Sequence, residues 1–136
     1  LSLPQNINTD SAPTFASLTL NGALLGQAIN LTNTQIADNS ATATTSTTVV
    51  DYWDASAYRS AKYLVQMKDG NDIETIEVLV NVDGNNNVYI TEYADVISNA
   101  VLGTTDADYD SGNVRLKVTA AGNSVAVKLH RTLIEA

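Results

Sequence analysis

Residues 60–82, SAKYLVQMKDGNDIETIEVLVNV, contain two runs in which apolar and polar side chains alternate with a period of two. Such alternation predicts β-strands with one buried and one solvated face. Residues 69–72, DGND, separate the two runs, and an Asp-Gly pair readily adopts the positive φ angles of a tight turn. The stretch therefore predicts a β-hairpin, and an antiparallel sheet follows from it.

Similar runs fill the chain from residue 48 to its end. The predicted strands are residues 49–53, 60–68, 73–82, 87–93, 100–104, 113–119 and 124–133. Gly/Asn-containing turns at 83–86 and 121–123 connect the third strand to the fourth and the last two strands to each other. Residues 94–98 form either a helical turn or an irregular connection. Seven short strands without an amphipathic helix predict an all-β fold, an antiparallel β-sandwich, and a jelly-roll-like topology stays open because sequence does not reveal strand order.

Residues 1–47 have a different character from the rest of the chain. Residues 32–48 are almost wholly small and polar, so they bury too little apolar surface to offset the entropy lost on ordering. We expect residues 1–47 to form an extended Thr-rich arm, in which 32–48 is a linker or a strand that orders only between chains. Residues 48–136 are predicted to form the sandwich domain.

Four leucines interrupt the polar character of this arm. Leu18 and Leu20 share one face of a short alternating run, and Leu24 and Leu25 follow in a second apolar run. A segment with this little apolar content gains order when several chains bury it together. The four leucines are therefore predicted to line the shared axis of a homotrimer.

Composition excludes several classes of function. The chain carries 7 basic and 15 acidic residues, a net charge of −8, which opposes binding to a phosphate backbone or to anionic membranes. It has no cysteine, so disulfides and thiolate chemistry are absent, and a reducing folding compartment is favoured. No stretch approaches the ~20 apolar residues of a membrane span. We predict no cofactor, no nucleic-acid partner and no membrane insertion.

The aromatic residues offer a binding surface. Asp51 and Asp54 flank Tyr52 and Trp53, which combines flat apolar rings with hydrogen-bonding acids, as sugar recognition requires. Trp53, Asp51 and Asp54 are therefore candidates for a glycan contact. The favoured alternative is that Trp53 caps the end of the sandwich or packs on a neighbouring subunit.

An acidic run provides a candidate metal site. Asp106, Asp108 and Asp110 alternate as in the first half of an EF-hand loop, but the glycine comes one place late and position twelve is Lys117. The favoured interpretation is a polar loop between strands, with calcium as the alternative.

Catalytic candidates are few. His130 lies between Lys128 and Arg131 on a predicted wet face without an evident nucleophile, so it is interpreted as a surface or interface histidine. Glu92 joins Asp51 and Asp54 as an acid beside an aromatic residue, yet the sequence does not bring the three together as glycoside hydrolysis would require.

Five segments, read in order, carry a resemblance to a known family. They are residues 57–66 (AYRSAKYLVQ), 80–84 (VNVDG), 89–93 (YITEY), 112–116 (GNVRL) and 127–131 (VKLHR). Residues 48–134 resemble a β domain that recurs in virion structural and tail-fibre-like proteins of tailed bacteriophages, particularly marine cyanophages. The resemblance implies a module of a fibre, tail or capsid-attached appendage, commonly homotrimeric and in contact with other virion proteins, with no catalytic residues to carry over.

The resemblance thus implies a non-enzymatic virion structural protein for assembly or host attachment, assembled in the host cytoplasm. The alternatives are a carbohydrate-binding module that recognises a host-surface glycan and an enzyme such as a depolymerase. Because the chain starts at Leu1 without an initiator methionine, we expect it to be a piece of a longer protein.

Overall fold

The computed structural model describes residues 28–136, and this part of the chain consists of nine strands and their connections, with no helix. The strands are β1 (Ala28–Asn30), β2 (Thr34–Ala43), β3 (Thr48–Asp54), β4 (Tyr58–Asp69), β5 (Asp72–Val82), β6 (Val88–Ile97), β7 (Gly103–Asp110), β8 (Asn113–Ala120) and β9 (Val125–Glu135). Within this range there is accordingly no helix long and apolar enough to cross a membrane.

The strands form two antiparallel sheets. The larger sheet has the order β1-β2-β9-β4-β5-β6, and the smaller sheet has the order β3-β8-β7. Both sheets contribute buried apolar side chains to one core, so the larger sheet packs with one face against the smaller one. The predicted all-β, antiparallel, sandwich-like fold is confirmed.

The inward-facing residues of the core follow the sequence alternation. Strands β5, β8 and β9 bury the apolar members of their period-two pattern, as predicted. These buried residues are Ile76, Val78, Val80, Val82, Val114, Leu116, Val118, Val125, Val127 and Leu129. Burial of these side chains is the main favourable term that holds the two sheets together.

The first two predicted hairpins are present, and the third is not. β4 and β5 pair through the turn at Gly70, whose φ is 57°, and β5 pairs with β6 through the Asn-rich loop at 83–87. In contrast, β8 and β9 lie in different sheets, so residues 121–124 cross from one layer to the other. The turn at 121–123 had the composition of a hairpin, but each strand finds its partners elsewhere.

The polar stretch after residue 31 behaves differently from the prediction. Residues 34–43 form β2, which pairs over ten residues with β9 of the same chain. They are therefore neither a linker nor a strand that needs another chain. Ala37 and Ala43 are buried in the core, so small side chains suffice because β9 supplies the hydrogen bonds and the larger apolar surface. Residues 1–27, with the four predicted interface leucines, lie outside the described part.

Two further boundaries differ from the prediction. β6 continues through residues 94–97 after a bulge at which Ala94 has a φ of 53°, so this segment is an irregular strand and not a helical turn. β7 occupies 103–110 instead of 100–104, and the acidic run therefore lies in a strand and not in a loop.

We predict that Gly103→Ala destabilises the protein by about 1–3 kcal/mol. A Cβ at Gly103 would lie 2.9 Å from Sδ of the fully buried Met67 and 3.1 Å from the carbonyl oxygen of Thr119. Urea unfolding measures the effect. Gly84→Ala is the matched control, since a Cβ there meets nothing within 4 Å, and its free energy of unfolding should stay within about 0.5 kcal/mol of the parent. Equal stability of the two variants would contradict the close packing at Gly103.

Candidate functional site

Trp53 and Asp51 lie inside the sandwich. They are 3% and 5% exposed, respectively. A register shift between Val49 and Asp51 in the pairing of β3 with β8 places Val50 and Asp51 both in the interior. Because a bulge inserts a residue into the alternation, Asp51 faces inward together with its neighbour Val50, where strict alternation would have placed the two on opposite sides. Trp53, two residues further on, shares the inward face of Asp51.

A hydrogen-bonded network surrounds the buried carboxylate of Asp51. Arg131 Nη1 of β9 lies 2.6 Å from Asp51 Oδ2, and the Tyr63 hydroxyl of β4 donates to the same oxygen at 3.0 Å. Trp53 Nε1 donates in turn to the Tyr63 hydroxyl at 2.9 Å. The network therefore joins β3 of the smaller sheet to β4 and β9 of the larger one.

The guanidinium of Arg131 has further partners. Its Nη1 also donates to the carbonyl oxygen of Tyr52 at 2.8 Å, and its Nη2 donates to Gln35 Oε1 at 3.1 Å. Within residues 28–136, the Arg131 Nε is the buried side-chain nitrogen without a hydrogen-bond partner. The charge is thus held by its two terminal nitrogens, which suits a structural ion pair between the sheets.

Burial changes the ionisation of Tyr63. The loss of solvation raises the pKa of Tyr63 far above its usual range, and the negative charge of Asp51 raises it further. The hydroxyl therefore stays protonated and donates to Asp51 at every physiological pH, which keeps the network in one hydrogen-bonding arrangement.

The predicted glycan contact at Trp53 and Asp51 is corrected by this geometry. Both side chains are enclosed by the two sheets, so a sugar has no access to them in the folded protein. Asp54 is exposed, but it accepts hydrogen bonds from the backbone N–H and the hydroxyl of Ser56, each at 2.7 Å. The Ser56 hydroxyl and then its N–H lower the pKa of Asp54, and its role is to stabilise the turn after β3.

The acidic residues of β7 face basic residues of β8. Arg115 pairs with Asp108 and Asp110, both at 2.7 Å, and Lys117 lies 2.9 Å from Asp106 and 3.0 Å from Asp108. Hydrogen bonding to Arg115 is the main reason that the pKa of Asp108 falls to about 2. These carboxylates are neutralised across the strand pair, so this geometry does not favour the calcium alternative.

The catalytic candidates are dispersed. Asp51 and Asp54 belong to β3, at one edge of the smaller sheet, whereas Glu92 of β6 accepts a hydrogen bond from the N–H of Thr105 in β7, at the opposite edge. Two strand spacings, roughly 10 Å, separate β3 from β7 across the sheet. Thr105 is moreover level with Thr48, six residues along β3 from Asp54, so Glu92 does not share a cleft with Asp54. His130 is exposed on β9, in register with Asp38 and Leu64, which confirms its predicted surface position.

Glu74, a second buried acid, holds the segment between β6 and β7 in place. Glu74 of β5 is 1% exposed and accepts a hydrogen bond from the N–H of Leu102. Burial raises the pKa of Glu74, and the nearby Asp95 and Glu92 raise it further. This residue anchors the segment between β6 and β7, and its partners are backbone groups of that segment, which indicates a structural role.

A groove lies on the outer face of the larger sheet, the face turned away from the smaller sheet. Its volume is about 560 Å³, within the range of sites for small ligands. Outward side chains of β9, β4, β5 and β6 form its wall in two rows across the strands. The first row is Ile134, Ser60, Asn81 and Tyr89, and the second is Thr132, Lys62, Leu79 and Thr91.

The charged and aromatic groups of the groove are held in place. The Tyr89 hydroxyl lies 3.4 Å from Asp83 Oδ2, and the other oxygen of Asp83 accepts two backbone N–H groups of its loop, those of Asn85 and Asn87. Lys62 Nζ lies 3.3 Å from Glu77 and 5.9 Å from the centre of the Tyr93 ring. The groove therefore presents an exposed aromatic ring and an ammonium whose charge is already compensated.

The sequence contains a signal for this surface that the strand pattern alone did not yield. Leu64 stands between Tyr63 and Val65, and Leu79 between Val78 and Val80. Three apolar residues in a row place one of them on the wet face, because successive side chains of a strand point to opposite sides. Lys62, whose side chain shares this face, lies on β4, an interior strand of the larger sheet.

Comparison with known proteins gives little further information. No family model matches the sequence, and a search of curated proteins finds no match either. Among solved structures, the tailspike protein of Acinetobacter baumannii phage AM24 is similar at a TM-score of 0.41 and 9% sequence identity, over 76% of this chain and 26% of the tailspike. This chain thus spans about a quarter of that protein, and a similarity this distant transfers no function.

We predict that Arg131→Met lowers the free energy of unfolding by about 3–5 kcal/mol, because the buried Asp51 then lacks its counter-charge. Arg115→Met is the matched control, since it removes an equal charge from the partly exposed pairs with Asp108 and Asp110, and it should cost about 1 kcal/mol. The double variant Asp51→Asn/Arg131→Met should recover part of the loss. Urea unfolding at neutral pH measures all three, and similar losses for the two single variants would contradict the buried pair.

We also predict a loss of stability above pH 10 that depends on Tyr63. The pKa of Tyr63 is raised in the folded protein, so its contribution to the free energy of unfolding is complete below the pKa of the unfolded chain, near 10. Above that pH the free energy of unfolding declines by about 1.4 kcal/mol per pH unit. Unfolding free energies between pH 9 and 11.5 should therefore fall more steeply for the parent than for Tyr63→Phe. Equal slopes for the parent and Tyr63→Phe would contradict a raised pKa of Tyr63 in the folded protein.

Proposed function

We propose that this chain is a non-enzymatic structural module of a bacteriophage virion, part of a fibre, tail or capsid-attached appendage, with a role in assembly or host attachment. The phage setting is supported by the ordered resemblance of residues 48–134 described above. The role in contacts is supported by the outer face of the larger sheet, which carries exposed apolar side chains on β1, β4, β5, β6 and β9. These are Ile29, Leu64, Ile73, Leu79, Tyr89, Tyr93, Val96 and Ile134.

These eight exposed apolar side chains on one sheet face are the observation that carries the proposal. Single apolar residues are common on protein surfaces, but eight of them on one face, separated by polar side chains, form a mixed surface that supports contacts with other molecules. The polar interior also favours a scaffold over an enzyme. Asp51, Tyr63 and Arg131 satisfy one another between the sheets, so these groups serve cohesion of the sandwich.

A homotrimer is the assembly that we propose, with Leu18, Leu20, Leu24 and Leu25 along the shared axis and other virion proteins as further partners. The proposal rests on the sequence of the arm, where these residues stand among Thr, Ser and Asn. The proposed location is accordingly the virion, with assembly in the host cytoplasm.

Light scattering on the full chain tests the proposed assembly. The expected mass is three times the 14.4 kDa of the chain. Leu18→Asp/Leu20→Asp should lower the mass to that of one chain, because charges would be buried along the axis. Ser17→Asp/Thr19→Asp is the matched control, as it adds the same charges on the other side of the alternation, and it should leave the trimer intact. A parent mass of 14.4 kDa at micromolar concentration would contradict the trimer.

A further inference from the structure

We propose that the groove on the outer face of the larger sheet binds an uncharged oligosaccharide. The residues that carry this site are Tyr89, Leu79, Asn81, Ser60 and Thr132. None of them belongs to the buried hydrogen-bonded network around Asp51. The inference deepens the host-attachment role proposed above and rests on it for its biological setting. The chemistry of the groove itself is independent of the oligomeric state.

The first argument is the distribution of polar and apolar groups. In each row across the strands, every apolar side chain has polar neighbours: Ile134 is beside Ser60, Tyr89 is beside Asn81, and Leu79 lies between Lys62 and Thr91. A sugar ring has the same mixed character, with apolar C–H faces bordered by hydroxyl groups. The tyrosine and leucine side chains suit the C–H faces, while hydroxyl and amide groups donate to and accept from the sugar hydroxyls.

The same distribution disfavours a protein occupant. The core of a protein interface is depleted of charge and enriched in aromatic and apolar residues. A flat protein partner here would bury the Ser60 hydroxyl, the Asn81 amide and the paired Lys62 between the apolar side chains, and each would need its own partner to avoid a desolvation cost. A sugar carries a hydroxyl on nearly every carbon and meets that requirement.

The second argument is charge. The chain has a net charge of −8, which repels an anionic polysaccharide. Lys62, the one cation among the residues that line the groove, lies 3.3 Å from Glu77. The site therefore offers no free charge to an acidic sugar, and an uncharged glycan avoids both the repulsion and the disruption of this pair.

The third argument is pre-organisation. Tyr89 is 56% exposed, yet its hydroxyl lies within reach of Asp83, which is itself fixed by two backbone N–H groups of its loop. This long contact biases the ring toward one orientation before binding. A side chain that is already held in place yields more affinity for the same contact area.

A glycan array tests the proposal with the full chain as the probe. The array should include neutral, amino and uronic-acid oligosaccharides of defined structure, and binding is expected among the neutral ones. The strongest neutral oligosaccharide is then titrated by NMR. Tyr89→Ala should weaken its binding about tenfold or more, and Asn81→Ala about fivefold. Tyr52→Ala is the matched control, because Tyr52 is 63% exposed but lies on β3 of the other sheet, and it should bind as the parent does.

Four outcomes would overturn the inference. They are the absence of binding to every oligosaccharide of the array, a stronger response to uronic acids than to neutral sugars, equal losses for Tyr89→Ala and Tyr52→Ala, and a Tyr89→Ala variant with a lower mass in solution. The last result would make the outer face a contact between copies. A monomeric parent that binds a neutral glycan through Tyr89 would contradict the trimer and would support the glycan site. The two proposals are therefore tested independently of each other. Thermal unfolding verifies that each variant is folded.

Discussion

The contact between Arg131 of β9 and Asp51 of β3 is the interaction on which the arrangement of the two sheets depends. Apolar burial draws the sheets together, but it is non-directional and tolerates small shifts of one layer over the other. A buried carboxylate that has lost its water must keep its counter-charge and its hydrogen bonds. The pair at 2.6 Å, with the Tyr63 hydroxyl on the same oxygen, therefore fixes where β3 lies over β4 and β9.

This polar contact depends on an irregularity of β3. The bulge that turns Asp51 inward also leaves Tyr52 exposed, on the side of Arg115, and brings Trp53 to the Tyr63 hydroxyl. The cost of a disturbed ladder is offset by an interior network in which the Asp51 carboxylate, the Tyr63 hydroxyl and the Trp53 N–H all have partners. The inner face of the larger sheet therefore serves to hold the two sheets together. The outer face, built from the same strands, remains available for contacts with other molecules.

The period-two pattern predicted most of the paired strands, because alternation is a local property and each strand of a sandwich has one wet face. The buried valines of β5, β8 and β9 were assigned correctly for this reason. β2 was missed because Thr, Ser and Ala carry little apolar signal, and this strand forms only where β9 supplies its partner groups. The acidic run of β7 was mistaken for a loop because the compensating Arg115 and Lys117 stand on a different strand.

Local sequence was sufficient to predict the fold class, the inward faces of the long strands and the turns at Gly70 and Asp83, since each follows from neighbouring residues and the geometry of the backbone. Long-range packing established which strands share a sheet, that β8 and β9 belong to different layers, and that Asp51 and Trp53 are interior. It also decided that Tyr89, Asn81 and Ser60 line one groove. Such pairings join residues far apart in the chain, and their energies exist only once the sheets have formed.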